Sequence, residues 1–237
     1  MEAGGSARSV KGIVQMMAHG FGADRVELRV GYASLAINIG MDETDVTRLC
    51  GVGEVGVNQR LIQELWNLGK RVTSGELLAE QTRIALTQLA RDTPRHAVWV
   101  TALATGAACA AFGRILGVDW YGTSAVFLAA SVGQFVRREL LRCHVNNFLC
   151  AAVVSFLSCV LGGLGARWGG SATIVTAMIA AILMLVPGVP AMNALSDILE
   201  GHPTLGIVRA VTVVVTLIFV ATGLWLGNAV LNEWHSP

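Results

Sequence analysis

The sequence predicts an α-helical integral membrane protein with five transmembrane helices, the fourth broken at Pro-Gly-x-Pro, preceded by a small cytoplasmic α+β domain. Three observations carry this. Hydrophobic residues make up 54% of the 237, and 27 glycines add to them, where a soluble domain holds roughly 45–50% apolar residues with glycine included. Charge is uneven, with 22 of the first 96 residues Lys, Arg, Asp or Glu against 11 of the last 141. Five apolar stretches then follow one another, at 97–117, 120–136, 145–165, 171–188 and 207–231, where a span needs about 20 mostly apolar residues. The expected division is a cytoplasmic domain over 1–95 and a membrane domain over 96–237.

Several function classes drop out. The formal net charge is +1 with no basic block, so no nucleic-acid partner is expected. The start, MEAGGSARSVKGIVQ, has no continuous apolar core, so no signal peptide is expected. Cys50, Cys109, Cys143, Cys150 and Cys159 form no C-x-x-C pair and read as reduced packing residues. His19, His96, His144, His202 and His235 have no metal-ligand spacing, and no nucleophile has a base at supporting distance. Neither a metal, a cofactor nor an enzymatic activity is expected. The rival readings are a membrane-anchored enzyme or a nucleotide-binding regulator.

In the N-terminal part, Val10, Ile13, Val14, Met17 and Phe21 share one face of a helix over 8–21. The period then becomes two, in Val26, Leu28, Val30 and Tyr32 and again in Leu35, Ile37 and Ile39, with a weaker third strand around Val46 and Leu49. Val57, Leu61, Leu65 and Leu68 form the stripe of a second helix over 57–69. Ser74 is expected to cap a third over 75–91, with Leu77, Leu78, Ile84, Ala85 and Leu89 inward and Pro94 at its end. Gly51-Val52-Gly53-Glu54-Val55-Gly56 spells G-x-G-x-x-G, but no second buried strand follows it as a dinucleotide fold requires. It reads as loop glycine, or as bare amides at a helix start that hold an anion.

In the membrane part, Arg91 and Arg95 precede the first span and Arg137, Arg138 and Arg142 fill the loop between the second and third. The opposite loops hold only Arg114 and Arg167, and Arg209 stands near the fifth span. This bias puts the N-terminus in the cytoplasm and the C-terminus outside. Gly113/Gly117, Gly165/Gly169 and Gly223/Gly227 are G-x-x-x-G pairs, and Ala102, Gly106 and Ala110 keep the same spacing. They read as packing within the bundle or as contact with a second membrane subunit.

The fourth span is short. Residues 171–186 give only about 24 Å of helix, less than the roughly 30 Å hydrocarbon core. Pro187 and Pro190 cannot donate to Leu183 and Val186, and Gly188 frees the backbone between them. The helix should break there and restart with Pro190 near its first position. Freed backbone inside a membrane is tolerated only in protein or beside a wet cavity, and broken helices are where transporters bind substrate. Asn193 and Asp197, four apart, share a face of the restarted segment. Pro187, Gly188, Pro190, Asn193 and Asp197 are therefore the candidate substrate site. The competing reading is a simple chain turn with Asp197 in a solvated loop, capping Leu199-Glu200. Asn146 and Asn147 open the third span, either as interfacial caps or as part of a pathway with Arg138 and Arg142.

The run Leu185-Val186-Pro187-Gly188-Val189-Pro190, with Asn193, Asp197, Gly201-His202 and Gly206, resembles the signature of the threonine/serine exporter family. Gly56-Val57-Asn58 before a helix, the Arg-rich loop at 137–142 and the five-span plan are similar too, over nearly the whole chain. The resemblance is nearest to the larger subunit of the split bacterial form, a succinate exporter of the inner membrane. It implies a second, smaller multi-span membrane subunit as partner, and a small carboxylate as substrate, succinate first and threonine or serine second. The broken helix would hold the carboxylate on its N-terminal amides, Asn193 would donate a hydrogen bond, and Asp197 would couple a proton or repel the anion. Arg138, Arg142 or Arg209 would supply further positive charge. Relatives carry an extra amphipathic helix ahead of the segment like Gly5-Ser6-Ala7-Arg8, so the start is expected to be shortened or misassigned.

Overall fold

The computed structural model describes residues 1–41, 44–53, 56–92 and 97–233. Glu54 and Val55 of the glycine run, Pro94, Arg95, His96 and His235 lie outside the described residues. The protein is mostly helical, with a small three-stranded sheet near its start. It divides into two compact units, Met1–Pro94 with Gly188–Thr212, and Arg95–Pro187 with Val213–Pro237. The segment Gly188–Thr212, read from sequence as part of the membrane domain, packs with the N-terminal residues.

In the first unit, helix α1 (Ala7–Gly20) is capped by Ser6, whose hydroxyl accepts from the Ser9 amide at 3.3 Å. Strands β1 (Arg25–Val30), β2 (Ser34–Met41) and β3 (Thr44–Gly51) form an antiparallel sheet in that order. The alternation of β1 holds for Val26, Leu28 and Val30, half-buried with the residues between them exposed, but Tyr32 lies beyond the strand and is exposed. The third strand is as long as the second, although Val46 and Leu49 are exposed, which is why its sequence signal is weak. Helix α2 (Gln59–Thr73) is capped by the Asn58 side chain. It packs on α1 where glycines allow close approach: a Cβ on Gly12 would stand 2.9 Å from the Trp66 ring, and one on Gly69 3.0 Å from Met16 Sδ.

Ser74 does not start a helix. Gly75, at φ +78°, closes α2, with the Gly75 amide bonding Val72 O and the Glu76 amide bonding Arg71 O, and Ser74 Oγ returns to Arg71 O. This is a Schellman stop, so α3 begins only at Ala79 and runs to Asp92. Leu78 and Ile84, expected inward, are exposed. Helix α8 (Gly188–Leu199) and the first turns of α9 (Pro203–Glu233) complete the unit, joined through Gly201 at φ +83°.

The second unit holds α4 (Val98–Ile115), α5 (Trp120–Arg142), α6 (Asn147–Trp168), α7 (Ile174–Ile182), a 3-10 turn (Leu183–Leu185) and the rest of α9. Its core is lined by small residues, and the small-residue spacings are used inside the bundle. A Cβ on Gly113 would stand 3.2 Å from Ala180, one on Gly165 3.0 Å from Ala125, and one on Gly227 2.9 Å from Cys159 Sγ. Gly106 and Gly223 sit similarly against α5 and α6. Gly117 instead ends α4 at φ +91° with open space around it. All five cysteines are free, with Cys109, Cys150 and Cys159 buried.

Among the described residues three helices are long and apolar enough to cross a membrane: Val98–Ile115, Asn147–Trp168 and Pro203–Asn232. The bent pair Ile174–Leu185 and Gly188–Leu199 passes as one further span. The sequence reading of five included α5. That helix is 23 residues long, but Tyr121, Thr123 and Ser124 at one end and Gln134, Arg137 and Arg138 at the other dilute its apolar run. The count by length and composition is therefore three, or up to four with the bent pair.

Candidate functional site

The fourth span breaks where two prolines require it. The 3-10 turn ends at Leu185, Val186 is extended at φ −66°, ψ 118°, and α8 starts at Gly188. Pro190 is thus the third helical residue, still within the turn whose amides have no intrahelical acceptor. A Cβ at Gly188 would meet nothing within 4 Å.

Asn193 and Asp197 share the inward face of α8, as their spacing requires. Asp197 is fully buried, so it is not part of a solvated loop. Its Oδ2 is ion-paired with Arg209 Nη1 of α9, itself 7% exposed. Its Oδ1 accepts the amide of Ala7 at 2.9 Å, so one carboxylate serves both a guanidinium and the positive N-terminus of α1. A charge pair this deep is tolerable only with its remaining lone pairs and donors satisfied. Arg209 Nη2 donates to Gly5 O at 3.2 Å and reaches Met1 Sδ at 3.5 Å, and Asn193 Nδ2 donates to Gly4 O at 2.8 Å.

The segment Glu2–Ala7 therefore lies over the polar face of α8 and α9. Its other side is stitched to the glycine-rich loop. Gly56 N bonds Glu2 O at 2.7 Å, Asn58 N bonds Ala3 O at 2.9 Å, and Gly53 N bonds Glu2 Oε1 at 2.7 Å. The Gly53 amide is thus met by a carboxylate of the chain itself, and the Gly56 and Asn58 amides by its neutral carbonyls. Gly4, at φ +82°, makes the turn, and a Cβ there would come 2.7 Å from Gly56 O. Sequence reasoning paired Asn193 with Asp197 and named Arg209 only as one of three candidate cations. It did not find the backbone of residues 4–7. The one available signal was the Gly4-Gly5 pair, which frees a backbone to approach closely.

The other candidates lie in the second unit. Asn146 is the N-cap of α6, its Oδ1 accepting from Phe148 N at 2.9 Å, and both it and Asn147 are exposed. Arg142 pairs with Glu139 at 2.8 Å, and Arg138, one turn earlier on α5, is half-buried. Among the described residues no group of three or more His, Cys, Asp or Glu side chains could hold a metal ion.

Comparison with known proteins agrees with a membrane carrier. A family model described as "Putative threonine/serine exporter" matches residues 1–231. The chain is 24% identical over 210 residues to the "Probable succinate transporter subunit YjjP" of Klebsiella aerogenes, covering 88% of this chain and 81% of that protein. It is 23% identical, with the same coverage, to the protein of that name in Escherichia coli strain K12. No solved structure matches. With a family signature that runs through all but its last six residues, this chain belongs to the threonine/serine exporter family.

Proposed function

We propose that the protein is a subunit of an inner-membrane exporter that moves a small carboxylate, succinate first, out of the cytoplasm together with a second, smaller membrane subunit. The relatives named as succinate transporter subunits support both the substrate and the partner. The family description favours threonine or serine as the second reading. The arginine bias of the loops supports a cytoplasmic N-terminal domain over 1–95 and a five-span membrane domain over 96–237 with its C-terminus in the periplasm. On this reading α5 spans as well, its small-residue face of Gly122, Ala125, Ala129 and Gly133 buried against its neighbours while Tyr121 and Ser124 stay exposed near its start.

The observation that carries the reading is the fully buried Asp197, paired with Arg209 on the restarted half of a helix that two prolines break. Buried ionisable residues in membrane helices mark solute or proton paths. The site donors are Asn193 Nδ2 and Arg209 Nη2, now bonded to the neutral carbonyls of Gly4 and Gly5. A carboxylate makes hydrogen bonds roughly twice as strong as a neutral acceptor does, so a substrate carboxylate displaces them. Asp197 keeps Arg209 in place and holds the site near neutrality, so that the anion is released.

Efflux of labelled succinate, threonine and serine is to be measured from vesicles holding this chain, its partner subunit, or both. Succinate efflux is expected only with both. Asn193→Ala and Asp197→Asn should cut it while insertion into the membrane stays normal. Full efflux by both variants would remove the site assignment, and faster threonine than succinate efflux would reverse the substrate order.

A further inference from the structure

The donors of the proposed substrate site are closed off in this structure. Arg209 is 7% exposed. Gly4 and Gly5, whose carbonyls take Asn193 Nδ2 and Arg209 Nη2, are buried. A solute carboxylate takes their place only if this part of the chain moves.

The way the segment is held suits such a movement. Four successive carbonyls each accept a bond. Those of Glu2 and Ala3 accept from the amides of Gly56 and Asn58, and those of Gly4 and Gly5 from Asn193 and Arg209. Glu2 adds its carboxylate to the Gly53 amide at 2.7 Å, at an exposed position. Side chains contribute little, because the only wholly apolar one between Glu2 and Ser6 is the Ala3 methyl. Segments that open locally are those with few buried apolar contacts, and hydrophobic burial is the main term that commits a chain to its fold.

The C-terminal end of the segment is anchored separately. Ser6 caps α1, and beside it Arg8 is ion-paired with Glu200 at 3.1 Å. What is left to move is Glu2–Gly5, with two glycines that give the backbone a choice of paths. A carboxylate that takes Asn193 and Arg209 removes the bonds of Gly4 and Gly5. Glu2 and Ala3 are then held from one side alone.

We propose that Glu2–Gly5 is the gate of the substrate site. In the absence of solute its Gly4 and Gly5 carbonyls stand where carboxylate oxygens bind. The amides of Gly53, Gly56 and Asn58 are its latch, and it lifts when a carboxylate binds. The gate rests on the substrate site proposed above and adds that this site fills only from an opened state. The apparent affinity is then the intrinsic one reduced by the fraction of chains that are open.

The test uses the full chain with its partner subunit in vesicles, with the exposed Cys50 and Cys143 replaced by Ser. A Cβ on Gly53 would stand 3.4 Å from Glu2 Cδ, so Glu2→Cys with Gly53→Cys is to be bridged by a short bis-methanethiosulfonate. The bridge fixes a contact that already exists, so it harms only a segment that has to leave. Succinate efflux should fall about ten-fold or more on bridging and return on reduction. Equal efflux from the bridged and reduced forms overturns the gate and leaves the site standing. No efflux of succinate, threonine or serine by the unaltered chain with its partner removes site and gate together. Glu2→Ala loosens the latch without touching a solute donor, so the apparent KM for succinate should fall about three-fold. A higher KM, expected of a residue that only builds the site, overturns the proposal. In detergent, succinate should quicken hydrogen exchange at the Gly56 and Asn58 amides. Slower exchange there would mean that the segment clamps onto the solute, which also overturns it.

Discussion

Helix α9 is held by different means at its two ends. Toward its N-terminus, Arg209 is ion-paired with Asp197, and Gly206 lies flush on α8, where a Cβ would stand 2.7 Å from Ala194 O. Toward its C-terminus the partners are glycine and hydroxyl: Gly227 lies against Cys159, Gly223 against Ala152 and Ser155, and Ser155 Oγ donates to Val220 O at 2.7 Å. Lipid removes the hydrophobic drive between helices, so close backbone approach is the ordinary way to hold them together, and it suffices at the C-terminal end. The charge pair at the other end is not needed for packing, because a buried ion pair is often no better than well-packed apolar residues of its size. Its place beside the broken helix is the observation on which the proposed substrate site rests.

The comparison breaks most sharply at Asp197. Asp197→Ala leaves Arg209 buried and unpaired, and the expected loss is about 3–5 kcal/mol, read as a fall in the unfolding midpoint in detergent. The paired change Asp197→Leu with Arg209→Met should recover most of that stability and none of the efflux. If the double variant still exports, the ion pair is a packing device after all, and the two ends of α9 differ only in composition.

At the other end, Gly223→Ala puts a Cβ 2.8 Å from Ser155 Cβ and closer still to Ala152 O. Helices α6 and α9 must separate, at a cost of about 1–3 kcal/mol. Efflux should fall only in proportion to the folded protein that remains. Gly188→Ala is the control, because its Cβ enters open space. It should leave stability within about 0.5 kcal/mol, so a loss of efflux there reports on the helix break itself.

What the sequence disclosed follows from how local each signal is. The break at Pro187 was legible because a missing amide is a covalent fact. The alternation of β1 and the Leu61, Leu65 and Leu68 stripe of α2 were legible because one face is covered, whereas Val57, read as part of that stripe, precedes the helix and is exposed. Ser74 misled because Ser before an apolar run looks like an N-cap, and Gly75 beside it was equally readable as a stop. At the site, the i, i+4 spacing of Asn193 and Asp197 fixed their common face. Their partners Gly4 and Ala7 contribute backbone atoms from 189 and 190 residues away, and a carbonyl or amide leaves no trace in residue identity. Only a glycine that must be glycine can betray such a contact.

Gly4 is that residue. Gly4→Ala strains a left-handed backbone, which costs about 1–2 kcal/mol, and drives a Cβ to 2.7 Å from Gly56 O. Faster hydrogen exchange is expected at the amides of Ala7, Gly56 and Asn58 together, because one segment bonds all three groups. Faster exchange at Ala7 alone would mean that the two sides of the segment are held independently.

The smallest effect separates the two buried-side roles a carboxylate plays in this chain. Asp119 caps α5 in the second unit as Asp197 serves α1 in the first, but its partners are mostly neutral. Gly122 N donates at 2.7 Å, Ser171 Oγ at 3.0 Å and Ala172 N at 2.8 Å. The Gly122 amide, then Ser171, Ala172 and the nearby Arg114 charge, hold its carboxyl below the usual value, against a smaller opposing desolvation. A lowered folded-state value means that the stabilisation is complete above the unfolded carboxyl value of about 3.9 and fades as pH falls through the folded one. The unfolding midpoint should therefore drop below about pH 4 in the unaltered chain, and Asp119→Asn should flatten that limb while lowering the midpoint slightly at neutral pH. An acid limb of the same steepness in Asp119→Asn would assign it to other carboxylates and leave Asp119 as a cap whose charge is incidental.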